Sequence, residues 1–200
     1  MQIPSKCQRQ DVFARCPDDA VVTRIVRPQY GFTLVETLVV VSILALLLGL
    51  AIPSYQGFQE LYRLEGHAQE LTTDLYYLRS EAAARNKARR ISFVADAGGS
   101  CYVLHSGNSG DCSCTSDGVS QCAAADATVI KSLGLRSDKG VRMQSNVASM
   151  LFDPIRGTTT PTGSVNITTP SGKALRQVVN IMGRAKTCSP NASVRGYEVC

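Results

Sequence analysis

Residues 32–52 form an unbroken run of apolar and small side chains in which Glu36 is the only ionisable group. As a helix, 21 such residues rise about 30 Å, which matches the hydrocarbon core of a bilayer. A stripe apolar on every side has no place at a water-facing surface, so this run sets the plan of the chain: one membrane-length helix, then a separate head. Upstream lie Lys6, Arg9, Arg15, Arg24 and Arg27 against Asp11, Asp18 and Asp19. That excess of positive charge keeps the N-terminal end cytoplasmic and directs the chain beyond Ile52 outward. A secretory signal has a shorter apolar core with a small-residue cleavage site behind it. Here the small-residue junction, between Gly31 and Phe32, precedes the run, so cutting there leaves the helix on the mature chain.

A carboxylate inside a membrane segment costs roughly 2.5–3.5 kcal/mol near the centre and less toward the interface, so Glu36 asks for a partner. The competing reading is an ordinary anchor with an interfacial Glu. Pro53 lacks an amide proton and its ring crowds the carbonyl of Gly49, which predicts a kink or a loosened turn. Gly49 weakens the same turn.

The segment Gly31-Phe32-Thr33-Leu34-Val35-Glu36, followed by the apolar run with Pro53 near its outer end, resembles the prepilin signature of type IV pilins and type II secretion pseudopilins. The resemblance implies that prepilin peptidase cuts after Gly31 and that the new amine of Phe32 is methylated. It makes Glu36 the acidic fifth residue of the mature chain, attracting the Phe32 amine of a neighbouring subunit. It also implies that the softened segment at Gly49 and Pro53 serves helix packing within a filament.

Past Pro53 an apolar stripe runs through Leu61, Leu64, Ala68, Leu71, Leu75, Leu78 and Ala82 in steps of three and four, one face of a helix. Glu60, Arg63, Glu65, Glu70, Asp74 and Arg79 fall on the wet face, and His67 joins the polar side. The stripe docks on a sheet, with a coiled coil as the alternative. From Arg90 the period becomes two, and residues 90–95, 100–104, 128–131, 141–144, 150–153, 164–168 and 177–181 read as strands. Gly98, Gly99, Gly134, Gly140, Gly157 and Gly172 separate them as turns. One long helix followed by antiparallel strands is an α+β architecture, the helix lying on one face of the sheet. Tyr76-Tyr77-Leu78-Arg79-Ser80-Glu81-Ala82, the segment Phe152-Asp153-Pro154-Ile155-Arg156-Gly157 and the segment Val178-Val179-Asn180-Ile181-Met182-Gly183-Arg184 resemble the FimT/GspH subfamily. The organisation is a leader over 1–31, a transmembrane and assembly helix over 32–53, an amphipathic helix over 54–88, a β-rich head over 89–187 and a terminal loop over 188–200.

Eight cysteines are present. Cys7 and Cys16 fall in the leader, and Cys101, Cys112, Cys114, Cys122, Cys188 and Cys200 lie beyond the membrane run, where thiols oxidise. Six cysteines allow 15 pairings. Cys188 and Cys200 bracket the terminal loop and are read as a pair; terminal disulfide loops are also common among type IV pilins. Cys112-Ser113-Cys114 disfavours an adjacent bridge, which leaves two bridged loops among the other four. The rival reading is zinc held by those four thiols and His105, against the lack of any Cys-x-x-Cys knuckle.

Residues 95–126 carry Asp96, Asp111, Asp117 and Asp126 and no Lys or Arg. From Ala127 onward ten basic side chains face three acidic ones. Cations gathered in one part of a domain are the footprint expected for phosphate backbones. Gly183-Arg184-Ala185-Lys186 is similar to a Gly-Arg-x-Arg motif implicated in DNA binding by FimT proteins linked to natural transformation, with Lys in place of the second Arg. A Lys neutralises a phosphate but lacks the bidentate fork. Arg195, Lys173 and Arg176 extend the candidate DNA-binding set, whose contacts are sequence-independent. The competing reading is a solvated or subunit-pairing charge.

No Gly-x-Ser-x-Gly, Walker loop or His-Glu-x-x-His is found, and no Ser-His-Asp order with plausible loops, so no enzyme, cofactor, metal or small-molecule substrate is expected. The sequons at Asn166 and Asn191 are coincidental behind a bacterial leader. The chain thus reads as a minor type IV pilin, held in the inner membrane with a periplasmic head and then incorporated in a pilus. Its expected partners are other pilins, prepilin peptidase and duplex DNA during transformation. The alternative is a structural pseudopilin that primes or caps a pilus or a type II secretion pseudopilus without touching DNA.

Overall fold

The structure, a computed structural model, describes residues 31–200, the side chains of residues 50–54 and of Lys139 excepted. The leader, with Cys7 and Cys16, lies outside the described residues apart from Gly31. The chain divides between Leu47 and Leu48 into two compact units.

A single α-helix, α1, spans Leu34–Arg85. Thr33 caps it: Thr33 Oγ1 accepts the Glu36 N–H at 3.2 Å. Thr33-Leu34-Val35-Glu36 has the spacing of a capping box, and Glu36 stands in the first turn, where the helix dipole favours negative charge. Every described residue from Gly31 to Gly49 is exposed, Phe32 at 83%. Among the described residues no helix is long and apolar enough to cross a membrane. The span expected over 32–53 runs into residues 50–54, whose side chains lie outside the description, as does the expected effect of the Pro53 ring.

In the second unit α1 buries Leu64, Ala68, Leu71, Leu75, Leu78 and Ala82. It ends where Asn86 turns left-handed at φ 50°. The Asn86 N–H then bonds the Ala83 carbonyl and the Lys87 N–H that of Ala82, a Schellman closure. Eleven strands follow among the described residues: β1 Arg89–Asp96, β2 Gly99–His105, β3 Cys112–Cys114, β4 Ser120–Cys122, β5 Val129–Arg136, β6 Arg142–Ser145, β7 Ser149–Phe152, β8 Thr159–Thr160, β9 Gly163–Thr168, β10 Ala174–Val179 and β11 Ala185–Cys188. They form two main antiparallel sheets, ordered β5-β2-β1-β7-β8 and β11-β10-β9-β6, and the small hairpin β3-β4. The α+β expectation holds, with two main sheets in place of one. The stripe of α1 packs with Ile91, Tyr102, Leu104, Met150 and Phe152 of the first sheet and with Val165, Ile167, Leu175 and Val179 of the second, in one core. The coiled-coil alternative gives way to this docking.

Period-two alternation sends Cys101 and Val103 to the other face of β2, where the β3-β4 hairpin covers them. Bridges Cys101–Cys114 and Cys112–Cys122 fasten that cover, and Cys188–Cys200 closes the terminal loop. With all six thiols consumed, the zinc reading is overturned. The hairpin lies so close to β5 that a Cβ built on Gly134 would stand 2.3 Å from both the Gly118 nitrogen and the Ser116 oxygen. Gly134, expected in a turn, is therefore a strand residue that has no side chain because another backbone crosses it. The strand expected over 177–181 ends at Val179, and Asn180 and Ile181 begin a turn instead.

Candidate functional site

Strands β10 and β11 make a hairpin whose register pairs Val178 with Lys186 and Arg176 with Cys188. Leu175, Gln177 and Val179 point inward and are buried, so Arg176, Val178 and Lys186 share the outer face. Gln177 anchors the inner face: its Nε2 donates to the Ala68 carbonyl of α1 at 3.0 Å, and its Oε1 accepts from Thr187 Oγ1 at 3.0 Å. At the edge, the Tyr76 hydroxyl donates to the Ala185 carbonyl at 3.2 Å. Outside these contacts lies a groove of about 630 Å³, lined by Arg176, Arg184 and Lys186, with Val178, Val199 and the Cys188–Cys200 bridge as its apolar parts.

Three of the five expected DNA-binding residues thus line one groove. Arg176 Nε is committed to Asn166 Oδ1 at 2.6 Å, across the strand pair. Lys186 is ion-paired to Glu198 at 2.6 Å, and its hydrogen bond and charge hold the Glu198 carboxyl below its ordinary value. Both partners are exposed, so water screens the pair. Arg184 is exposed. Lys173 is not in the groove; its ammonium donates to the Gly57 carbonyl of α1 at 3.1 Å. Arg195 is exposed on the terminal loop and is not among the lining residues.

Two polar clusters escaped the sequence reading. Asp74, expected on the wet face, is 4% exposed. Its carboxylate accepts from the buried Tyr102 hydroxyl at 2.6 Å and from Lys131 Nζ at 2.8 Å, and Lys131 also reaches Glu70 at 3.3 Å. Burial and the bond to Asp74 push the Tyr102 phenol up. Burial alone would lower the Lys131 ammonium, but Asp74 and Glu70 together outweigh it and raise it. The cluster ties α1 to the first sheet, and no short-range signal marks it because its members are far apart in the chain.

The second cluster pairs Ser92 Oγ with His105 Nε2 at 2.9 Å, both buried. The Gly107 N–H points at His105 Nδ1 at 3.1 Å, so Nδ1 is the acceptor and Nε2 carries the proton. A ring that donates to the serine cannot take its proton, which removes the base a nucleophilic serine needs. Burial first, then the Arg90 charge, lowers the imidazole, with Asp111 opposing. The pair is a structural hydrogen bond.

A family model described as type II transport protein GspH matches residues 67–183. The chain belongs to the GspH family. A second model, the prokaryotic N-terminal methylation motif, matches residues 26–52. Together they make this GspH-family chain a membrane-anchored pilus or pseudopilus component. Similar solved structures include the type IV minor pilin FimU of Pseudomonas aeruginosa, 20% identical, covering 68% of this chain and 99% of that one with a TM-score of 0.48. Another is the minor pseudopilin EpsH of the Vibrio cholerae type 2 secretion system, 14% identical, covering 64% and 98% with a TM-score of 0.45. No curated protein matches the chain in sequence.

Proposed function

We propose that this chain is a structural minor pseudopilin, cut by prepilin peptidase between Gly31 and Phe32 and built into a pilus or pseudopilus through α1. One observation carries the reading. Beyond Leu61 the helix buries its apolar stripe in its own head, whereas from Leu34 to Leu48 it is apolar on every side and exposed. That surface asks for lipid before assembly and for other subunits' helices afterwards. Glu36, at the helix start, is the group that meets a neighbour's Phe32 amine. The test is mass spectrometry of the mature N-terminus together with quantification in purified filaments. The wild-type chain begins at N-methylated Phe32, and Glu36→Ala is processed normally but depleted from the filament. A mature chain beginning at Met1, or Glu36→Ala entering at the wild-type level, overturns the reading.

A second reading, duplex DNA capture during transformation, is favoured by the groove that gathers Arg176, Arg184 and Lys186 on one sheet face. In this reading affinity falls steeply with salt, and the double variant Arg184→Ala, Lys186→Ala loses binding in a gel shift across a salt series. Unchanged affinity in that variant removes it.

A further inference from the structure

Three large apolar side chains stand clear of the head at one place: Ile155 is 85% exposed, Ile181 60% and Met182 52%. Ile155 sits in the loop after β7, which its own backbone makes rigid. Asp153 Oδ1 accepts from the Ile155 N–H at 2.9 Å and the Arg156 N–H at 2.7 Å, and the Gly157 N–H returns to the Asp153 carbonyl at 3.0 Å. Ile181 and Met182 sit in the turn between β10 and β11. There Asn180 accepts from the Gly183 N–H at 2.9 Å through its carbonyl and from the Arg184 N–H at 3.0 Å through its side chain.

The two turns are fastened to each other. The Thr159 N–H donates to the Ile181 carbonyl at 2.8 Å. Gly183 has φ +68°, and a Cβ there would lie 2.9 Å from the Gly157 oxygen and 3.3 Å from Arg79 Cδ. Gly157 has φ +62°, and its Cβ would lie 3.2 Å from Arg79 Nη2. Arg79, expected on the wet face, is thus half-buried against both turns. Arg156 and Arg184 are exposed beside the apolar trio, and the Asp153 carboxylate is occupied by its own loop.

Side chains held out this rigidly contribute nothing to the core of their own chain. A prearranged apolar knob loses little freedom on binding, methionine adapts to irregular partners, and arginine is enriched at interface centres. We infer that the turns over 153–158 and 180–184 form a docking knob for a different subunit of the same filament, whose complement is an apolar socket bordered by carboxylates. The inference rests on the filament-subunit reading. Charge complementarity chooses the partner's rim: two exposed cations, Arg156 and Arg184, adjoin the trio against the single charge of Asp153, which is turned to its own loop's N–H groups. A nucleic-acid backbone offers no apolar surface to receive Ile155, Ile181 and Met182.

The experiment places the photoreactive residue p-benzoylphenylalanine at Ile155, or separately at Val40 on the apolar part of α1, in the full chain within cells that assemble the filament. Irradiation at either position gives an adduct with another subunit carrying the methylation motif. The adduct from position 155 maps to a peptide containing Asp or Glu. Arg156→Glu combined with Arg184→Glu lowers the yield at position 155 by about tenfold or more and leaves position 40 unchanged. Both arginines are exposed, and an unchanged melting temperature verifies the fold. Adducts at position 40 with none at position 155, adducts at 155 only with lipid or DNA, or a yield indifferent to charge reversal each overturn the inference. Absence of subunit adducts at both positions defeats the filament reading itself, and the inference with it.

Discussion

Replacing Asp74 by Ala tests whether a buried carboxylate holds α1 to the first sheet. The change leaves the fully buried Tyr102 hydroxyl without its acceptor, 2.6 Å away in the native state. A buried polar group stripped of its partner costs about 1–3 kcal/mol, and more where the lost bond was to a charged group. Lys131 is 39% exposed and keeps Glu70, so it can rehydrate, which holds the total to about 2–4 kcal/mol. Tyr102→Phe removes the hydroxyl but leaves Asp74 paired with Lys131, and costs about 1 kcal/mol. In the double variant nothing is stranded, so its cost falls short of the sum of the singles by about 1 kcal/mol or more. The chain has no tryptophan, so urea unfolding of the detergent-solubilised protein is followed by far-ultraviolet circular dichroism. Additive losses, or an Asp74→Ala variant within about 0.5 kcal/mol of wild type, would refute the reasoning.

Two further perturbations separate backbone crowding from titration. Gly134→Ala forces a methyl against two backbone segments and loses about 1–3 kcal/mol in the same urea assay. Gly66→Ala, on the helix with nothing within 4 Å, gains up to about 1 kcal/mol; equal effects of the two would defeat the close-approach argument. The folded-state His105 value lies below the ordinary 6.5, so the stabilisation from its neutral ring is complete above pH 6.5 and is lost progressively as pH falls beneath it. Urea midpoints of the wild type should therefore drop as pH falls below 6.5, and His105→Gln should flatten that limb; parallel curves for the two proteins would exclude His105 as the cause.

What could be read in advance divides by range. The steps of three and four from Leu61 to Ala82 announce the buried helix face, because helical periodicity is local and every member but Leu61, which is partly buried, is fully inside. Gly31 to Glu36 is similarly self-contained. Cys188 and Cys200 were legible as a pair because they bracket one short loop, but how the other four cysteines pair was not, since that depends on β3 folding back across β2. Asp74 looked wet because a carboxylate at a helical position normally is; only the arrival of Tyr102 and Lys131 from two strands makes its burial affordable. Gly134 looked like punctuation because a glycine that admits another backbone and a glycine that turns the chain are spelled alike. Lys173 and Lys186 counted as free charge in a tally, yet one is bound to Gly57 and the other to Glu198.

The stitch between Cys188 and Cys200 has a mechanical side. Lys173 and Gln177 grip α1 from the β10 region, so a tug along the rod enters the second sheet there. Its rim, β11, would otherwise unzip rung by rung from the end of the chain. With Cys188 sewn to Cys200, and the Ser189 N–H on the Glu198 carbonyl at 2.7 Å, that loose end is hemmed. The residues after Cys188 therefore leave the fold only together with β11, never ahead of it.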